Sequence, residues 1–236
     1  MVSSDEARVL VASLFISALV TSNLTASKIV SINFPLIGSI MFPAAVLAYA
    51  VTFLFTDIYA EIWGKKAAAK LVLYGFFANI FILFLVEFAI YLPPAPFHIE
   101  YQKVYSTVLG FTPNIIIASM IAYIISQNHD VWAFHFWRKV TNGAHLWLRN
   151  NASTLVSQLI DTVLFITLAF YILPLAIQGE PIIPLESIAT VIFGQYLVKA
   201  IIALCDTPFC YLGVMLIQKG LRIKELSQLK MQSKGK

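Results

Sequence analysis

The chain has 236 residues, 59% of them hydrophobic and 12% charged, with a formal net charge of +4 and a mean hydropathy of +0.82. Soluble domains carry about 25% charged residues and about 45–50% apolar ones, so this chain hides its apolar surface in a bilayer and a soluble enzyme is excluded. No polar block is large enough for a separate soluble domain, and one membrane domain over residues 1–236 is expected.

A spanning helix needs about 20 mostly apolar residues. Six segments meet that length in chain order: Val9–Ser27, Met41–Trp63, Leu71–Leu92, Thr112–Ala133, Ala152–Ile177 and Ser187–Gln218. The predicted architecture is all-α, six transmembrane helices in one bundle. Asp5 and Glu6 stand where a signal peptide would be positive, so the first segment reads as an uncleaved span. The breaks "NFPLIG", "GKK", "LPPAPFHIEYQ", "RKVTNGAHLWLRNN" and "QGEPIIPLE" carry the Pro and Gly expected of connections.

Lys and Arg set the expected orientation, because cytoplasmic loops are enriched in them. With the N-terminus in the cytoplasm, 13 of the 16 basic residues fall inside: Arg8, Lys65, Lys66, Lys70, Arg138, Lys139, Arg149, Lys219, Arg222, Lys224, Lys230, Lys234 and Lys236. Lys28 and Lys103 fall outside, and Lys199 lies within the sixth span. Both termini are then cytoplasmic. The positive charge reports topology and gives no sign of nucleic-acid binding; the basic tail reads first as a topology anchor, with contact to anionic lipid as the alternative.

Ionisable residues inside spans are costly and mark function more often than stability. In the fifth span, Ser153, Ser157 and Asp161 recur every four residues, with Thr154 and Gln158 beside them. They form one polar stripe on a helix. Asp161 lies nine residues past Ala152, about 13 Å into a core about 30 Å thick. In the sixth span Gln195, Lys199 and Asp206 also share a face, with Lys199 twelve residues from the outer end, roughly 18 Å down. A short loop joins these two spans, so Asp161 and Lys199 are expected to face each other across a polar cavity. A buried structural pair is the rival, although such pairs add little stability.

In the second span Asp57 and Glu61 are one turn apart, and Glu61 is spaced to pair with Lys65. Asn23, near the outer end of the first span, offers an amide that both donates and accepts. Asn79, Glu87, Asn114 and Gln127 are weaker candidates. Cys205 and Cys210 have no nearby His and read as reduced packing residues. His98, His129, His135 and His145 lie in or near loops without metal-ligand spacing. No nucleophile elbow, zinc-protease or P-loop motif occurs. The expectation is a carrier of a small solute, not an enzyme, with no cofactor and no metal.

Three stretches, "TDIYAEIWGKKAA" (Thr56–Ala68), "RNNASTLVSQLIDT" (Arg149–Thr162) and "SNLTASK" (Ser22–Lys28), resemble the queuosine precursor transporter family, also called the vitamin uptake transporter family. Asp57, Glu61 and Gly64 match the first family pattern, and Gln158, Asp161 and Thr162 the second. Trp63 stands where the family often has Tyr or Phe. The resemblance implies import of 7-cyano-7-deazaguanine or 7-aminomethyl-7-deazaguanine through the cell membrane. It also implies a bundle similar to the substrate-binding components of energy-coupling-factor transporters.

On chemical grounds Asp161 is the expected acceptor for the adjacent N–H groups of a deazaguanine, because charged acceptors make the stronger bonds. Gln158 stands beside it. Lys199 or Gln195 would donate to the O6 carbonyl, and Asp57, Glu61 or Asp206 would receive an aminomethyl cation. The competing readings are a binding subunit that needs a separate ATPase, and a membrane scaffold that transports nothing. A homo-oligomer is compatible with all of them.

Overall fold

Residues 3–34, 38–141 and 146–234 are described by the structure, a computed structural model. Several side chains lie outside that description, among them Ser153, Thr154, His135, Arg138, Arg149 and Asp206, together with the basic residues beyond position 220. His145 is outside it altogether.

In order the elements are α1 (Ser4–Thr25), β1 (Ile29–Phe34), β2 (Gly38–Pro43), α2 (Ala45–Trp63) and α3 (Lys65–Tyr91). A 3₁₀ turn (Pro96–His98), α4 (Ile99–Leu109), α5 (Thr112–Val140) and α6 (Leu146–Thr167) follow. A π-helical turn (Leu168–Ile172), α7 (Leu173–Gln178) and the long α8 (Leu185–Lys234) complete the chain. Six apolar stretches are long enough to cross a membrane: Ser4–Thr25, Ala45–Trp63, Lys65–Tyr91, Pro96–Asp130, Leu155–Gln178 and Leu185–Ile202. The six-span helical architecture read from the sequence is therefore present.

The chain divides into two compact units. The first contains Met1–Ser22, Ala45–Phe81 and Lys199–Lys236; the second contains Asn23–Ala44 and Ile82–Val198.

In the first unit, Val11 and Phe15 of α1, Tyr59 of α2, and Ala68 and Leu71 of α3 form a buried cluster that Ile217 of α8 also packs against. Removing such side chains from lipid gains packing rather than hydrophobic free energy, so close fit decides the contact. Between α2 and α3 the connection is a single residue, Gly64, at φ +88°. Its N–H donates to the Ala60 carbonyl and its own carbonyl accepts from Ala67 and Ala68. Only glycine adopts this left-handed conformation at little cost, so the third helix begins at Lys65 and the two lysines of the expected "GKK" loop are helical.

The second unit holds two departures from the expected helices. Ile29–Phe34 and Gly38–Pro43 pair as an antiparallel hairpin, with Val30 opposite Phe42 and Ile32 opposite Ile40. The run of β-branched residues at 29, 30 and 32 suits a pleated strand better than a loop. The base of the hairpin is closed by Ala44 N–H donating to the Lys28 carbonyl at 2.8 Å, and the second span starts at Ala45 rather than Met41. Ile40 and Phe42 are buried. A Cβ at Gly194 of α8 would collide with the Met41 carbonyl oxygen, so glycine there admits the hairpin against the helix.

The other departure is at the end of α6. Pro174 has no N–H to give the Phe170 carbonyl four residues back, and the helix widens into the π turn at that point. Leu173 donates to the Leu168 carbonyl instead, while the returning loop gives the Phe170 carbonyl two donors, Ile182 N–H at 2.9 Å and Ile183 N–H at 3.2 Å. Backbone groups inside a membrane need such internal partners.

Candidate functional site

The α5 and α6 helices pack along their length, and their seam carries the polar stripe of the fifth span. Ser126 Oγ donates to Asp161 Oδ1 at 3.4 Å. One turn along, Ser157 Oγ donates to Asp130 Oδ1 at 3.3 Å and meets His129 Nδ1 at 3.1 Å. The pairs 126 with 161 and 130 with 157 define one antiparallel register. Carried away from the polar end, that register reaches Ala118, Ala122, Ile166 and Ala169, all fully buried. Small residues let the two backbones approach, and serine bonds then join them. Thr162, also fully buried, is satisfied within its own helix by donating to the Gln158 carbonyl at 2.8 Å.

Asp161 and Gln158 are half-buried, whereas Ser157 and Thr162 are enclosed. Asp161 stands inside the apolar stretch Leu155–Gln178. A carboxylate there, held by a serine and still partly open, has acceptor capacity for a bound solute.

The sequence reading passed over Ser126 and Asp130 and placed His129 near a loop; all three lie inside α5. Their signal was the i, i+4 spacing of Ser126 and Asp130 within the run "SQNHD". In the sequence that run of polar residues resembles an ordinary solvated helix end. Trp132, one turn along α5, holds its ring centroid 5.8 Å from that of His129.

Gln195 sits in α8 between two anchors. Gly194 abuts the hairpin, and Tyr196 Oη donates to the Leu155 carbonyl at 3.3 Å. Gln195 is 5% exposed and Asn114, in the first turn of α5, is 1% exposed. Gln195 Oε1 and Asn114 Nδ2 are buried without a hydrogen-bond partner among the described residues. Leaving such a group unsatisfied costs about 1–3 kcal/mol, which a ligand with a complementary group would recover. Asn114 is twelve residues from Ser126 on the same helix, about 18 Å, so Asn114 and Asp161 do not read neighbouring atoms of one small molecule.

Asn23, at the end of α1, is buried in the second unit. Lys199 belongs to the first unit, is buried, and holds its Nζ 5.5 Å from the centre of the Tyr49 ring. This cation–π contact sets Lys199 level with the beginning of α2. Further along the same two helices, a Cβ at Gly213 would meet Ile58, so α8 also lies close against α2 at that level. Asp57 and Glu61 lie on the exposed side of α2. The neighbouring Tyr59 and Trp63 instead face α1. Arg8 Nε donates to Tyr59 Oη at 2.8 Å, Trp63 Nε1 donates to Ser4 Oγ at 3.4 Å, and the two rings are 4.7 Å apart. Among the described residues no three His, Cys, Asp or Glu side chains are grouped to hold a metal ion.

The family described as "Putative vitamin uptake transporter" matches residues 43–213. A protein of Bacillus subtilis (strain 168) named "Probable queuosine precursor transporter" is 31% identical over 170 residues, covering 72% of this chain and 70% of that protein. No solved structure matches. The family match runs from the hairpin's last residue to the glycine at which α8 meets α2, taking in the α2–α3 turn and the α5–α6 seam. This multi-pass membrane protein belongs to the vitamin uptake transporter family of membrane transporters.

Proposed function

We propose that this transporter imports a queuosine precursor, 7-cyano-7-deazaguanine or 7-aminomethyl-7-deazaguanine, across the cell membrane into the cytoplasm, where both termini lie. The name of the Bacillus subtilis relative supports the substrate class. The observation that carries the site is Asp161, a half-buried carboxyl group well inside an apolar stretch, steadied by Ser126. Such a base presents two adjacent N–H donors, at N1 and the 2-amino group, and a carboxylate accepts both with charge-assisted bonds. Gln158 lies beside it, and the Gln195 carbonyl, without a hydrogen-bond partner among the described residues, offers a further acceptor. Lys199, Asn23, Asp57, Glu61 and Asp206 are further candidates on sequence grounds alone, the acidic ones for the aminomethyl cation.

Uptake of labelled base by cells unable to make it tests this reading. Guanine-like bases are expected to compete and adenine, which lacks the paired donors, to compete far less. Equal competition by the two sinks the carboxylate contact. Uptake that stops when a separate ATPase is removed would replace the stand-alone carrier with a binding subunit.

A further inference from the structure

Within the candidate span Pro96–Asp130, the part of α5 from Thr112 to Asp130 is already about 28 Å long at 1.5 Å per residue, enough for a hydrocarbon core of about 30 Å. Helix α4 is therefore not needed to cross it. The α5–α6 register, followed outward from the Ser126–Asp161 bond, brings Leu109 level with Gln178, the last residue of α7. Helix α4 therefore lies beyond the point at which its neighbour turns back.

Its faces are sharply divided. Tyr101, Val104, Tyr105 and Val108 recur at i, i+3, i+4 and i+7, the spacing of an apolar helix stripe, and all four are exposed, Tyr101 and Val104 at 62% each. The polar side faces the protein. Gln102 Nε2 donates to the Ile90 carbonyl at 3.1 Å and to Ser106 Oγ at 3.2 Å. The first bond satisfies one of the carbonyls that the last turn of α3 leaves open. Glu100, Lys103 and Thr107 occupy a third, exposed side. A water-facing helix would bury this apolar stripe and show the polar one.

We infer that α4 lies in the headgroup–acyl boundary of the bilayer, with the Tyr101, Val104, Tyr105 and Val108 stripe inserted and Glu100, Lys103 and Thr107 turned to water. Two observations select lipid as the occupant. The stripe is continuous in sequence with exposed Phe84, Phe88 and Tyr91 of α3 and Phe97 of the 3₁₀ turn, side chains of the lipid-facing surface. Its aromatic members are tyrosines, whose apolar ring and polar hydroxyl match the interface. Insertion to about 5–10 Å is ordinary for such a helix.

The test is spin-label accessibility of the full chain in lipid vesicles. Cys205 and Cys210 are replaced by Ser, and one label is placed at Val104 or at Lys103, both exposed positions that tolerate it. The Val104 label is expected to favour collision with oxygen, and the Lys103 label with a water-soluble nickel complex. A Val104 label as open to nickel as the one at Lys103 overturns the assignment. So does dipolar broadening between Val104 labels, which would place a second copy of the chain on this face. As an independent readout, Tyr101→Trp fluorescence is expected to be quenched most by lipids brominated near the headgroup. Unquenched emission overturns the proposal. These readouts involve no substrate, so they stand apart from the functional reading.

Discussion

The two longer stretches that carry the family resemblance do different work. In Thr56–Ala68 three residues have structural tasks: Tyr59 receives Arg8, Trp63 reaches Ser4, and Gly64 makes the left-handed turn into α3. Its carboxylates, Asp57 and Glu61, are left on an exposed face. In Arg149–Thr162 the polar residues at the seam are tied to α5 or to their own helix, and its carboxylate, Asp161, is half-buried inside an apolar stretch. A sequence pattern that looks uniformly functional thus separates into one stretch that builds a helix pair and one that holds a charge where charge is costly.

The largest expected effect comes from Asp161→Asn. Loss of a charge-assisted acceptor, worth about 1.5–3 kcal/mol, weakens base binding by about 10- to 100-fold, read as a rise in the concentration for half-maximal uptake. Unchanged uptake would remove the distinction between the two stretches. Gly64→Val follows. A β-branched residue at φ +88° costs about 2 kcal/mol, which thermal unfolding in detergent reports, while the affinity of the protein that remains folded is unchanged. Loss of affinity at full stability would give the Gly64 turn itself a direct part in binding. Tyr59→Phe, which removes the acceptor for Arg8, lowers the unfolding temperature by less than Gly64→Val does. Ser157→Ala is the mildest. An interhelical bond in a membrane averages about 0.6 kcal/mol, so its effect on stability is small, and uptake by Asp161 persists.

Much of the polar seam was legible from local periodicity. Ser157, Gln158 and Asp161 stand together because helical spacing places them there. Their partners were not legible. Ser126 is 35 residues from Asp161, and Tyr59 is 51 from Arg8; no local pattern pairs residues at those separations. The hairpin at Ile29–Pro43 was hidden because its apolar run reads equally as a loop or as the start of a span. The π turn was hidden because Pro174 signals a break without saying where the freed Phe170 carbonyl finds its donors. Gln195 was visible as a polar residue in a span, but only packing left its carbonyl without a partner among the described residues.

Hydropathy is a sum over neighbouring residues, so the amino-acid sequence by itself determined that the chain crosses a membrane through six helices and that a carboxylate sits inside the fifth. Contacts depend on which faces meet, and those are settled by backbone approach across distant segments. The tertiary structure alone decided that Asp161 is held by Ser126, that Gly194 admits a hairpin, and that α4 turns its tyrosines away from the protein.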